Sequence, residues 1–298
     1  MRNSKIKKKR PLGLLLVKIF IFTLCISSLV QAAVGQATVV RGENESTLLL
    51  QQISQIRSHN KKLKLENKNL QSGIIKKEAS YKEKMANTKI AYLTFDDGPS
   101  ENTVEILRIL KQYDVKATFF VNGHPNYSYL YKQISDEGHL LANHTYSHEY
   151  KDIYNSPDNF KNDTEKLDRY LTSVTGKEPN YILRFPGGSN NTISNNFGGN
   201  EIMTSVIKEM NASGYKYFDW NVDSTDASTY CQDRNKIVQA VLSESSQTKH
   251  AIILMHDLAP KITTVQALPE IIEGLKNQGF IFDVLSKKAY APQFTVVK

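Results

Sequence analysis

Two adjacent carboxylates, Asp96 and Asp97, stand in "LTFDDGPS" (Leu93–Ser100), between an apolar run and Gly98-Pro99. Asp-Gly-Pro is ordinary turn chemistry, because Asp bonds nearby backbone, Gly supplies positive φ and Pro fixes φ. That accounts for one Asp and leaves the second without a role. Neighbouring carboxylates repel unless something cationic takes one of them. Further on, "NHTYSH" places His144 and His148 four residues apart. On a helical turn this spacing puts both imidazoles on one face, where they can share a metal, although such pairs also arise by chance. Asp97, His144 and His148 would then form a two-histidine, one-carboxylate set with positions open for water and substrate. Asp96 would stay free beside a water acidified by the metal and could act as general base. Arg184, in "LRFPGG", is either a partner that keeps Asp96 ionised and oriented or a surface ion pair.

All these groups follow strand-like runs. "KIAYLTF", "KATFFVNG", "LLANH", "YILRF", "KYFDWNV", "AIILMH" and "FIFDVLS" read as strands. "NTVEILRILKQY", "YLYKQISDEG" and "TTVQALPEIIEGLKNQG" read as helices, the last with Pro269 as its irregularity. Repeated β then α from Lys89 onward predicts an α/β sheet or barrel of one domain. Polar residues at strand ends, including "WNVDSTD" (220–226) and "ILMHD" (253–257), mark the edge where such folds place active sites.

Charge divides the chain. The 298 residues carry a net +8, yet residues 1–89 hold 18 Lys/Arg against 5 Asp/Glu, and residues 90–298 hold 20 against 25. The part with the chemistry is mildly acidic, which argues against nucleic acid as a partner. The basic third suits an anionic membrane or wall polymer. "MRNSKIKKKR" is a positive n-region, followed by an apolar stretch and small residues at "VQA" (30–32). Residues 1–33 are therefore expected to be a signal peptide or a membrane anchor, facing the rest of the chain outward. Leu12–Val30 is 19 residues, near the roughly 20 that span a bilayer, so cleavage and retention both stay open. The two cysteines, Cys25 and Cys231, offer no disulfide framework and read as packing residues.

Leu49, Ile53, Ile56, Asn60, Leu63, Asn67, Leu70 and Ile74 step alternately by four and three. This is a heptad seam with Asn60 and Asn67 at a, which favours paired, in-register helices. Residues 46–80 are thus expected to be a helical stalk of which 49–74, about 39 Å long, form either a parallel homodimeric coiled coil or a solvated single helix. "KKEASYKEKMANT" (76–88) reads as a linker.

Taken together, "TFDDG", "HTYSH", "RFPGG", "DWNVDSTD" and "ILMHD" resemble the five ordered motifs of the polysaccharide deacetylase family, carbohydrate esterase family 4 or NodB-homology domain. The resemblance covers roughly residues 90–285, within a catalytic domain set at 88–298. It implies a distorted (β/α) barrel of seven or eight strands. It also implies Asp96 as base, Asp97, His144 and His148 as metal ligands, and Arg184 as tether of the base. His256 would be the general acid and Asp226 its partner. The Gly187 N–H would stabilise the oxyanion and Leu254 would face the acetyl methyl. The expected cofactor is a divalent metal, zinc first, with cobalt or nickel also suited. The expected reaction is N-deacetylation of amino sugars of cell-wall peptidoglycan. Other acetylated glycans (exopolysaccharide, chitin oligomer, O-acetyl xylan) and a non-catalytic glycan-binding scaffold are alternatives. Two positions depart from the pattern. Gly187 stands where the family often has Tyr, and Ala227 where it often has Trp. Trp220, the sole Trp, is either a replacement sugar-binding surface or a core residue. The Asn-rich loop 188–200 either lines the glycan groove or is a flexible connection.

Overall fold

The computed structural model describes residues 43–297. The expected signal or anchor segment, with Cys25, lies outside the described residues. The chain divides into two compact units, residues 1–84 and 85–298. In the described part of the first unit the backbone is one helix, α1 (Glu43–Asn87). It runs through the stretch expected to be a linker. That stretch contains no Gly or Pro and is rich in Lys, Glu and Ala, all good helix formers. Two seam residues, Ile56 and Leu70, are 39% and 56% exposed, and Leu48, Leu50, Leu65 and Ile75, off the seam, are exposed as well.

The second unit is built on a parallel sheet whose central strand is β1 (Lys89–Asp96). Its other strands are β2 (Thr118–Val121), β3 (Leu140–Asn143), β4 (Ile182–Leu183), β5 (Lys216–Tyr217), β6 (Val222–Asp223), β7 (His250–His256) and β8 (Phe280–Phe282). The order is β5-β4-β3-β2-β1-β7-β6, and every pairing is parallel. β8 joins the N-terminal half of β1, while β2 pairs its C-terminal half.

The single strand expected at "KYFDWNV" is two strands on opposite edges of the sheet. Phe218 N–H donates to Leu183 O, and Asn221 N–H donates to Ile252 O, so the backbone changes neighbours between them. Five Cα steps from Tyr217 to Val222 reach at most about 19 Å. A flat sheet would hold those edges about 29 Å apart. The sheet must therefore curl, in keeping with a distorted (β/α) barrel, although β5 and β6 do not pair among the described residues.

Strand alternation sorts the faces. Ala91, Leu93 and Phe95 of β1 and Ala251, Ile253 and Met255 of β7 pack outward, in one cluster with residues of the surrounding helices. These helices include α2 (Asn102–Gln112), α3 (Ser128–Asp136) and, after β7, the helix Ile262–Asn277. Ile90, Tyr92 and Ile252 face inward onto Phe120, Phe218 and Leu285. Thr94, Asp96, Leu254 and His256 share that inner parity, which brings two ionisable groups to the C-terminal mouth.

Between β3 and β7 lie α4 (Tyr150–Ile153), α5 (Pro157–Thr175), α6 (Asn195–Gly198), α7 (Ile202–Ala212) and α8 (Arg234–Ser245); the helix after β7 is α9. The hydrophobic pattern did not reveal α5, α7 or α8. α5 is polar and buries only Phe160, Thr164 and Leu167. Its start and stop were nonetheless written in Ser156, which caps Asn159 N–H, in Pro157, and in left-handed Gly176 (φ 69°).

Candidate active site

Asp96 ends β1 and is 3% exposed. A buried carboxylate needs a cation or donors, and Arg184, just after β4, supplies both. Arg184 Nη1 donates to Asp96 Oδ1 at 2.8 Å and to Thr94 Oγ1 at 2.7 Å. Its Nε and Nη2 donate to the carbonyls of Phe218 (3.0 Å) and Asp219 (3.1 Å), and its guanidinium lies 4.2 Å over the Phe120 ring. Arg184 is fully buried, so the surface ion pair is excluded.

Asp97 turns away from the strand in a left-handed conformation, φ 72°. Its Oδ1 lies 3.4 Å from His144 Nε2 and 3.3 Å from His148 Nε2. The histidines do not meet through a helical turn. Residues 144–149 are irregular, with Thr145 at φ 70° and His148 at φ 57°. Side chains hold that backbone from beneath. Asn122 Nδ2 donates to the carbonyls of His144 (2.7 Å) and Thr145 (2.9 Å). Asn143 Oδ1 accepts from Thr145 N–H, and Asp163 Oδ1 accepts from the N–H groups of Tyr146 and Ser147.

These three side chains fit a metal ion on their own chemistry. His144 Nδ1 is 2.8 Å from the Arg184 carbonyl, which only accepts, so Nδ1 carries the proton. Burial pushes the His144 pKa down against the pull of Asp96 and Asp97, so the ring is neutral. The bare Nε2 lone pair therefore faces a carboxylate oxygen, an arrangement favourable only around a cation. Asp97 Oδ1 is buried and has no hydrogen-bond partner. One ligand atom each from Asp97, His144 and His148 lies within 4.8 Å of the others. Binding of the second imidazole nitrogen to a carbonyl is the usual way a ligating histidine is oriented.

On the neighbouring strand, the β1–β7 register sets His256 beside Asp96. His256 Nδ1 is 2.7 Å from Asp226 Oδ1, and its N–H donates to Asp226 Oδ2 at 2.8 Å. Thr264 Oγ1 also donates to Oδ2, and Lys261 Nζ donates to the Asp226 carbonyl. Burial alone would lower the His256 pKa, but the hydrogen bond and charge of Asp226 overcome it and raise it to about 9. Burial pulls Asp226 upward in turn, and its bonds to His256 and Thr264 win and hold it low.

With this geometry in hand, similarity to known proteins is decisive. Residues 83–216 match the family model described as polysaccharide deacetylase. A peptidoglycan-N-acetylglucosamine deacetylase of Bacillus cereus is 33% identical over 210 residues, 68% of this chain and 72% of that protein. A putative polysaccharide deacetylase of Bacillus subtilis is 32% identical over 270 residues, 88% of each chain. The chain belongs to the polysaccharide deacetylase family. The crystal structure of the catalytic domain of a peptidoglycan N-acetylglucosamine deacetylase from Eubacterium rectale has a TM-score of 0.68 at 37% identity, covering 71% of this chain and 95% of that one.

The other residues expected at the site are less directly placed. Gly187 has φ 77°, and a Cβ added there would overlap the Tyr150 hydroxyl, so both conformation and space demand glycine. Leu254 is buried on β7, paired with Thr94 two residues before Asp96. Trp220 packs edge-on to Phe294 at 4.9 Å, and a Cβ on Gly188 would meet its ring. The loop after Arg184 is ordered by its own side chains. Ser189 N–H and Oγ donate to buried Asp219, which also accepts from Phe294 N–H. Asn191 Nδ2 donates to the Pro186 and Gly188 carbonyls. Ser189 and Ser194 are fully buried and anchor the start of the loop to the "RFPGG" turn, while residues 196–200 are exposed.

Sequence reasoning missed three contributors. Asp219 braces that turn. Tyr150 stands over it. Asp257 accepts from Ser100 Oγ (2.8 Å) and Thr103 Oγ1 (2.5 Å), and its own N–H donates to Asp96 O, stitching the two mouths of β1 and β7. Burial raises the Asp257 pKa to about 6 against the two hydroxyl donors. The signal for Asp257 was present, because it sits beside His256 in "ILMHD".

Proposed function

We propose that this chain is a metal-dependent deacetylase that removes N-acetyl groups from the amino sugars of cell-wall peptidoglycan. The observation that carries the reading is the pairing at the mouth. Asp96 and the Asp97–His144–His148 group stand on one strand end and its neighbour loop, and the Asp226-braced His256 stands beside Asp96 on β7. Base and acid thus stand side by side on adjacent strand ends, within reach of one bond.

A divalent metal held by Asp97, His144 and His148 would polarise the acetyl carbonyl and acidify water; zinc is the first candidate, with cobalt or nickel also suited. Asp96, paired with and aimed by Arg184, takes a proton from the attacking water. The water oxygen bonds to the acetyl carbon, and the Gly187 N–H donates to the carbonyl oxygen as it gains charge. His256 gives its proton to the nitrogen, the C–N bond breaks, and acetate and a free amine leave. Leu254 lines the place of the methyl group. Trp220 supports the Gly188 backbone from behind.

The names of the relatives support peptidoglycan as substrate, and an N-terminal signal or anchor would put the enzyme outside the membrane, facing the wall. In this reading α1 is a stalk, and residues 49–74 pair it with a second copy in parallel, covering Ile56 and Leu70. The test is acetate release from purified peptidoglycan, before and after metal is stripped and zinc restored. Zinc-dependent release upholds the proposal. Release from a chitin oligomer or acetylated xylan but not peptidoglycan keeps the chemistry and moves the substrate. No release from any glycan leaves a binding scaffold.

A further inference from the structure

We propose that the Tyr150 hydroxyl is a catalytic donor of this site, bonding the acetyl oxygen as it gains charge beside the Gly187 N–H. This rests on the deacetylase reading above. Tyr150 opens α4, two residues after His148, and its ring lies edge-on to the His148 ring at 5.7 Å and to Tyr154 at 5.3 Å. These two contacts fix the ring and aim its hydroxyl at the "RFPGG" turn, where it takes the space a Cβ on Gly187 would need. Gly187 is thus glycine partly because of Tyr150.

Three other tyrosines of the unit spend their hydroxyls on protein acceptors, while Tyr170 buries its own without a partner. Tyr154 donates to Pro186 O, Tyr131 to Asn122 O and Tyr215 to Asp168 Oδ2. The Tyr150 hydroxyl has no such partner among the described residues, although the residue is half-buried. A phenol is protonated at neutral pH and can donate. A free donor beside the Gly187 backbone, on a ring packed edge-on against His148, suits an oxygen that gains negative charge during attack. Such donors act most strongly when fixed beforehand and shielded from water.

Tyr150→Phe in the full, zinc-loaded chain tests this, because it keeps the ring and its packing and removes only the hydroxyl. The expected result is a fall in kcat of about 100-fold, with KM and zinc affinity (by chelator competition) unchanged. A kcat within about twofold of the parent overturns the proposal, since one lost donor costs far more than that. A second readout does not depend on turnover. Binding of acetate itself to the zinc-loaded protein, followed by calorimetry, is expected to weaken about tenfold in the variant, the worth of one hydrogen bond. If the parent frees no acetate from any glycan, the deacetylase reading fails, and this binding measurement alone decides: weaker acetate binding in the variant upholds the donor, and equal binding overturns it.

Discussion

Asp96 and Asp97 are neighbours in sequence with opposite surroundings, and the physical origin of the difference is one dihedral. Asp96 keeps strand geometry and points inward to Arg184; Asp97, at φ 72°, swings to the histidines. Asp97→Asn removes the charge facing two imidazole nitrogens. Outer-shell changes at metal sites already cost about 10–100-fold in affinity, so loss of this ligand is expected to exceed that, with zinc affinity and acetate release falling together. Arg184→Met leaves Asp96 buried and unpaired. Such breakage costs about 3–5 kcal/mol, and it should appear as a lower urea midpoint along with loss of activity. His256, as the proposed acid, is expected to set the alkaline pH limit. It must be protonated to act as acid, so kcat/KM is expected to fall on the alkaline side with an apparent pKa of about 9. Asp226→Asn should move that limb toward the ordinary imidazole value of about 6.5. Because the folded pKa is raised, the pair's contribution to stability is full below the unfolded imidazole value. It is lost as pH rises through about 9.

At the scale of elements, the site is a set of loops fixed by buried polar side chains at the ends of short strands. Asn122, one residue past β2, holds the histidine loop through two carbonyls. Asn122→Ala would leave both carbonyls buried without their donor and free the backbone between Asn143 and His148. Zinc affinity is expected to fall about tenfold, as for other outer-shell positions, while the secondary structure seen by circular dichroism stays the same. The heptad seam of α1 belongs to this scale too. Substituting Asn60 and Asn67 with Ile replaces the polar a positions that favour a parallel pair. If the stalk pairs, sedimentation of the variant should show a tighter or larger oligomer than the parent.

At the scale of the molecule, the second unit carries its own core and every candidate site residue. A fragment of residues 86–298 is therefore expected to unfold in one cooperative transition and to retain the zinc-dependent kcat of the full chain on a soluble oligosaccharide. Loss of zinc binding in a folded fragment would contradict the independence of the two units. Trp220 and Phe294 join the C-terminal tail to the turn behind Arg184, so removal of residues 290–298 should lower thermal stability as well as activity.

The sequence by itself determined the strand-end motifs and the β/α alternation and offered Asp97, His144 and His148 as candidates, because each is written in short-range terms: residue type, spacing and hydrophobic period; that the three meet was decided by the fold. "KIAYLTF" and "AIILMH" were legible because buried parallel strands read as continuous apolar runs. Helix α5 was hard to see, since most of its residues face solvent and only three are buried. Everything that required two distant segments to meet was decided by tertiary structure alone. The chain cannot reveal locally that "KYFDWNV" divides between two sheet edges, because that follows from the curl of the whole sheet. Nor can it reveal that Asp96 lies beside His256, which depends on the β1–β7 register. The same holds for Tyr150 over Gly187 and Asp257 beneath Ser100 and Thr103: contacts between residues 37 and more than 150 positions apart leave no periodic trace.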